Sequence, residues 1–114
     1  MSYDISIYVK IEGIIDRYAY LDEPTYSSPT YNLRNMFVAC MNWEYRQGEY
    51  YKCSEIIENI NRGIDELTNK RNEYEKYNSP NGWGNIDDAL LVLKSIHKCI
   101  YEQDIPLEYL YLRW

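Results

Sequence analysis

Phenylalanine is nearly absent from this chain: Phe37 stands alone beside 14 tyrosines. Histidine is as scarce, with His97 its single instance. Each shortage excludes something. A chain that needed only aromatic bulk would use phenylalanine, whereas tyrosine adds a hydroxyl that needs a partner when buried. A nucleophile–base pair built on histidine has one candidate, and His97 falls on the apolar face of an expected helix, where a partly buried core residue is the simpler reading. Cysteine is limited to Cys40, Cys53 and Cys99, an odd number without CxxC spacing, which fits reduced thiols in a cytosol better than a disulfide framework.

The remaining chemistry is also thin. Cys40, Cys53, His97 and Cys99 are suitable residue types for zinc. On a helix, however, His97 and Cys99 point to nearly opposite sides, so no metal site is expected. Cys53 precedes an expected helix start, where the helix dipole lowers a thiol pKa, but no base accompanies it and an inert thiol is expected. Gly82-Trp83-Gly84 is neither a dinucleotide fingerprint nor a Walker loop. Carboxylates interleave with Arg62 and Lys70 in the manner of a solvated helix face, not of a paired acid and base. The expectation is a non-enzyme without a cofactor. No apolar run is long enough to span a membrane. Met1–Lys10 alternates instead of presenting a basic and then apolar leader, so a cytoplasmic location is expected.

What is present fits one domain over residues 1–114, with 46% hydrophobic and 26% charged residues, ordinary for a globular protein. Eighteen acids against 12 bases leave a net charge of −6. That balance, with no Lys/Arg cluster along the sequence, disfavours direct nucleic-acid binding. It permits binding to a basic protein surface.

Residues 3–11 alternate: Tyr3, Ile5, Ile7, Val9 and Ile11 share one strand face, and Asp4, Ser6, Tyr8 and Lys10 the other. Glu12-Gly13 predicts a turn and residues 14–21 a second strand, giving an N-terminal hairpin. Residues 22–31 read as a loop. Asn32 is expected to cap a short helix facing inward through Leu33, Met36, Phe37, Cys40 and Met41. Residues 42–52 read as a connection dense in aromatics. Ser54 is expected to cap a helix to about Tyr77, with Ile57, Ile60, Ile64, Leu67, Arg71 and Tyr74 inward. Its opposite side is expected to hold Glu66, with Glu58–Arg62 and Glu66–Lys70 pairs. After the break at residues 78–84, Asn85 or Asp87 starts a last helix, with Ile86, Ala89, Leu90, Leu93, Ile96, His97 and Ile100 toward the core. Leu107–Arg113 alternates again as a closing strand. The expected architecture is α+β in the order β-β-α-α-α-β: an N-terminal β-hairpin plus a C-terminal strand in a small antiparallel sheet, with about three helices packed on one face.

Two segments invite a contact role: Trp43, Glu44, Tyr45, Glu49, Tyr50 and Tyr51 in the connection, and Trp83 on its glycine turn, as Trp and Tyr are common binding hot spots. The structural alternative for Trp83 is a plug between the last two helices. One of Tyr50 and Tyr51 is expected to point outward.

Met-Ser-Tyr-Asp-Ile-Ser at the start, Ser28-Pro-Thr-Tyr-Asn-Leu33, Gly48-Glu-Tyr-Tyr-Lys-Cys53, Asn81-Gly-Trp-Gly84, Cys99-Ile-Tyr-Glu102 and Leu110-Tyr-Leu-Arg-Trp114 together resemble small uncharacterised proteins of Gram-positive phages and prophages. The resemblance implies an accessory protein in an infected bacterial cytoplasm and carries over no catalytic residue. By analogy with small acidic phage proteins, including anti-CRISPR inhibitors, the expected function is binding a host or phage protein with a basic surface, so as to inhibit or redirect it. The alternatives are a phage structural or regulatory component acting through a homo-oligomer, with a homodimer open, and a small enzyme.

Overall fold

Alternation of apolar and polar residues builds the sheet. The computed structural model describes residues 4–13, 17–82 and 84–114; the expectations placed on Tyr3, on residues 14–16 and on Trp83 lie outside these described residues. Strand β1 (Ser6–Ile11) runs antiparallel to β2 (Arg17–Asp22) on one side. On its other side it pairs antiparallel with the closing strand β4 (Leu110–Arg113), from Ser6↔Arg113 to Val9↔Leu110. A short strand β3 (Tyr50–Lys52) adds to the far side of β4, giving the order β2-β1-β4-β3. Ile5, Ile7, Leu110 and Leu112 turn to one face and are wholly buried. The fold is α+β, with hairpin and closing strand in one antiparallel sheet as the alternation predicts.

The helices α1 (Arg34–Met41), α2 (Cys53–Asn69) and α4 (Ile86–Glu102) supply the other half of the core. Their buried residues, including Phe37, Ile60, Leu67, Leu93 and Ile96, join the inward strand residues in one cluster. Trp114 closes it, 1% exposed, with ring centroids 4.9 Å from Phe37 and 4.7 Å from Trp43.

The elements depart from expectation where local pattern competes with tertiary contact. Residues 42–52 are not simply a connection, because their last three residues pair with β4. Asn32 is not a cap: a 3₁₀ turn over Tyr31–Leu33 leads into α1. Ser54 lies inside the first turn of α2, which springs directly from β3 and has no side-chain cap. Asn85 does cap α4: its side chain accepts from the Asp88 amide at 3.0 Å, and the Asp88 carboxylate accepts from the Asn85 amide at 3.1 Å, a reciprocal capping box. On α4, Leu90 and His97 are only partly buried, while Val92 and Cys99 take core positions.

The largest correction concerns the long helix. It does not run to Tyr77; it stops at Lys70 (φ −127°, ψ 39°) and is followed by a single turn α3 (Arg71–Tyr74) and a 3₁₀ turn (Glu75–Tyr77). Glu66, expected on the solvated side, is 8% exposed. Tyr74 Oη donates to its Oε1 at 3.1 Å, and Lys70 Nζ and Arg62 Nη2 approach it at 3.1 and 3.5 Å. An unbroken helix would hold residues 66 and 74 about 12 Å apart along its axis, beyond such a bond. The break lets Tyr74 fold over the carboxylate. Arg62 therefore pairs forward with Glu66 and not with the expected Glu58, and its Nη1 donates to the Cys40 carbonyl at 3.3 Å.

That bond belongs to a joint between α1 and α2. Helix α1 ends on Asn42 in the left-handed region (φ 50°), leaving late carbonyls without intrahelical donors. Asn59 on α2 donates to the Met41 carbonyl at 3.0 Å, beside the Arg62 bond. Gly63 lets the two helices close. A Cβ there would stand 2.8 Å from Leu93 Cδ1, 2.9 Å from Met41 Cγ and 3.3 Å from Cys40 Sγ.

Two outcomes follow from this packing. Gly63→Ala should gain about 1 kcal/mol of helix propensity but overpack three neighbours at about 1–3 kcal/mol. A net loss of stability in urea denaturation is expected. For Glu66, the hydrogen-bonded pair with Lys70 holds its carboxyl below the usual range, against the opposing effect of burial. A group lowered in the folded state stabilises it above the unfolded pKa of about 4.3 and loses that contribution as pH falls through the folded value. Glu66→Gln should lower the melting temperature at neutral pH and flatten its fall in acid, measured by circular dichroism melts across pH.

Candidate interaction surface

The nucleophile candidates are dispersed and shielded. Cys40, Cys53 and Cys99 are all free and buried. Burial pushes their thiols up, Cys40 and Cys53 to about 12 and Cys99 to about 11. Desolvation thus outweighs the helix start at Cys53. His97 is half-buried, its ring 4.7 Å from that of Tyr101. Among the described residues no group of three or more His, Cys, Asp or Glu is placed to hold a metal ion. No helix among them is long and apolar enough to cross a membrane.

The aromatic connection divides between core and surface. Trp43 and Tyr45 are 7% and 9% exposed, and Trp43 packs against Tyr45, Tyr51 and Trp114 with centroids 4.7–5.3 Å apart. The left-handed Asn42 turns the chain back, and the Trp43 amide donates to the Val38 carbonyl at 3.2 Å. These two rings are fold residues and not protruding anchors. Tyr51 faces the helices across from Leu112; its hydroxyl accepts from the Arg46 amide at 2.7 Å and donates to the Arg46 carbonyl at 3.0 Å, clamping the loop. Tyr50 points the other way, as the alternation requires. Glu44 and Glu49 are exposed. A groove of about 320 Å³ along β3 gathers Trp43, Glu44, Tyr50, Tyr51, Lys52 and Glu55. Four of the seven residues singled out in the sequence thus meet at one edge of the sheet.

The outer face of the sheet carries a further group of tyrosines. Register places Tyr8, Tyr18, Tyr20, Tyr50 and Tyr111 there, with Tyr8 opposite Tyr20 on one side and opposite Tyr111 on the other. Tyr18 and Tyr50 belong to the two edge strands, about 14 Å apart at three strand spacings. Their rings nevertheless stack at 3.8 Å, tilted by 9°. Sheet twist and long side chains close that distance. Tyr111 meets Tyr18 edge-on at 5.2 Å, and Tyr8 meets Tyr50 and Tyr20 edge-on at 5.1 and 5.9 Å. Tyr111 is buried in this way, while Tyr20 stays 55% exposed.

The other outward positions on the strands are Ser6, Lys10, Lys52 and Arg113. Arg113 stands over the Tyr50 ring at 5.6 Å, and its Nε donates to the Gly48 carbonyl at 3.2 Å. A polar cleft of about 400 Å³ opens beside it, lined by Asp4, Ser6, Tyr8, Gln47, Gly48 and Arg113. Tyr18, Tyr20 and Tyr111 are the surface residues that the sequence reading did not single out. The signal available for them was a tyrosine at every second position, in Tyr18-Ala-Tyr20 and Tyr109-Leu-Tyr111.

No family model, curated protein or solved structure matches this chain. The surface therefore rests on its own geometry.

The thiol environment has a direct test. Dithionitrobenzoate at about pH 8 should leave all three cysteines unmodified in the native protein and react with all three in guanidinium chloride, read by absorbance.

Proposed function

We propose that the protein acts by contact: it is a small acidic binding protein that docks on a basic surface of a partner protein and thereby inhibits or redirects it. The observation that carries this reading is the groove along β3, where Glu44 and Glu55 flank half-exposed Tyr50 and Tyr51 over a buried Trp43. Partly buried tyrosines are good anchors because their rings lose little entropy on binding, and carboxylates at the rim select a basic counterpart. The net charge of −6 accelerates encounter with such a surface. Strand β3 lies at a sheet edge, so an extended segment of the partner can pair with its backbone.

The buried, high-pKa thiols support a non-enzymatic reading. The likeness to phage and prophage proteins supports a bacterial host protein as partner, a defence effector such as a CRISPR nuclease being one that carries a basic surface. The protein would then work in the cytoplasm of an infected or lysogenic cell.

Site-specific photo-crosslinking tests this. A benzophenone side chain at Glu44 or Glu49 should capture a basic partner from a Gram-positive bacterial lysate, and one at Lys94 on α4 should not. Glu44→Lys with Glu55→Lys should weaken the complex by about tenfold or more. Equal capture from all three positions, or adducts only between copies of this chain, would overturn the reading, the latter in favour of a homo-oligomer.

A further inference from the structure

Two tyrosines of the outer face stand in a relation that no other described tyrosine pair shares. Tyr18 and Tyr50 stack with centroids 3.8 Å apart and planes tilted by 9°. The other tyrosine contacts on this face are edge-on, at 5.1–5.9 Å. Tyr74 and Tyr77 also lie roughly parallel, but at 6.3 Å and 30°. We propose that Tyr18 and Tyr50 form a site of oxidative modification, at which a peroxide acting through a one-electron carrier joins the two rings in a dityrosine crosslink.

The chemistry decides which geometry counts. Removing one electron and the phenolic proton from tyrosine leaves a radical. Its unpaired electron occupies the ring π system, including the carbons ortho to the oxygen. The lobes of that system stand above and below the ring, so two such rings couple face to face. In an edge-on pair one ring offers only C–H bonds to the face of the other. The faces of Tyr18 and Tyr50 are already in van der Waals contact. The step balances. Each ring gives up one electron and one phenolic proton, and a C–C bond forms between an ortho carbon of each. Each of these carbons then passes its hydrogen to its own oxygen, which restores both phenols. The peroxide takes the two electrons, its O–O bond breaks, and with the two protons hydrogen peroxide leaves as water. The protein loses two hydrogens in all.

The fold holds the pair ready. Tyr8 braces Tyr50 at 5.1 Å, and Tyr111 braces Tyr18 at 5.2 Å. Such fixed placement of reacting groups replaces a chance encounter. Both rings are half-buried on the open side of the sheet, within reach of a small oxidant and of water for the released protons. Inside one molecule the effective concentration of one ring at the other is at least about millimolar, so in dilute solution coupling is internal. The bond ties β2 to β3, the two edges of the sheet, across β1 and β4. It closes a loop from residue 18 to residue 50, which restricts the unfolded chain as a disulfide does.

Photo-oxidation with ruthenium tris(bipyridyl) as carrier and persulfate as the peroxide tests the proposal, with protein about 100-fold below that effective concentration. The expected product is a monomer lighter by two hydrogens, with the blue fluorescence of a biphenol and a tryptic crosslink between Tyr18 and Tyr50 in mass spectrometry. Tyr18→Phe and Tyr50→Phe keep the rings but remove a phenol, and each should lower the yield of that monomer at least about tenfold. Tyr101→Phe, at an exposed ring on α4, should change it by less than about twofold. Circular dichroism melts establish that each variant is folded, and the purified crosslinked monomer should melt about 10 °C higher than the untreated protein. Adducts only between copies of the chain would overturn the proposal. So would a crosslinked monomer formed equally well by both Phe variants, or coupling of Tyr74 to Tyr77 in equal yield.

Discussion

The pairing of β1 with β4 is the constraint on which the rest of the structure depends. It joins residues 6–9 to residues 110–113, so nearly the whole chain lies between the partners. Closing so long a loop costs only slightly more than closing one half its length, because the entropy grows with the logarithm of length. The return is large: Ile7, Leu110 and Leu112 are buried without exposure. Both neighbours of this pair are placed by it. Strand β2 is held beside β1 by the hairpin, and β3 reaches the sheet only because β4 offers it a free edge.

The same pairing sorts the side chains. With a period of two, the strands send Ile7, Leu110 and Leu112 to the helices and their tyrosines, Tyr51 apart, to the other side. Four strands therefore build two aromatic assemblies. The inner one, around Trp114, Phe37 and Trp43, belongs to the core. The outer one, around Tyr18, Tyr50, Tyr8 and Tyr111, is a second packed layer facing water. The hydroxyl explains why tyrosine and not phenylalanine fills it, since such a layer must be soluble on its open side. The groove along β3 and the outer face of the sheet share Tyr50, Lys52 and Tyr111 at their border.

A polar joint fixes the helical layer. Glu66 gathers Arg62, Lys70 and Tyr74, and Arg62 and Asn59 supply donors to the end of α1. Burying that carboxylate is tolerable because two cations and a hydroxyl surround it. The helix break at Lys70 is the geometric consequence. Pattern reading put Glu66 among solvated charges because its neighbours Asp65, Lys70 and Glu73 are indeed at the surface. Nothing within the helix announces that Tyr74 will fold back over it.

Local periodicity by itself determined the hairpin strand over residues 5–11, the amphipathic stripe through Ile57, Ile60 and Leu67, the capped start of α4 at Asn85 and the closing strand through Leu110 and Leu112. Burial of alternate or helically spaced residues writes itself into neighbouring positions, so these were legible. Strand β3 was not, because three residues hold too little alternation and their pairing is decided by a partner about 60 residues away. Trp43 and Tyr45 looked like contact residues for the same reason: composition marks an aromatic, while only tertiary packing decides whether it meets solvent. The tyrosine face is the clearest case. Each tyrosine was visible in the sequence, but their assembly into one aromatic plane needed the register of four strands drawn from both ends and the middle of the chain.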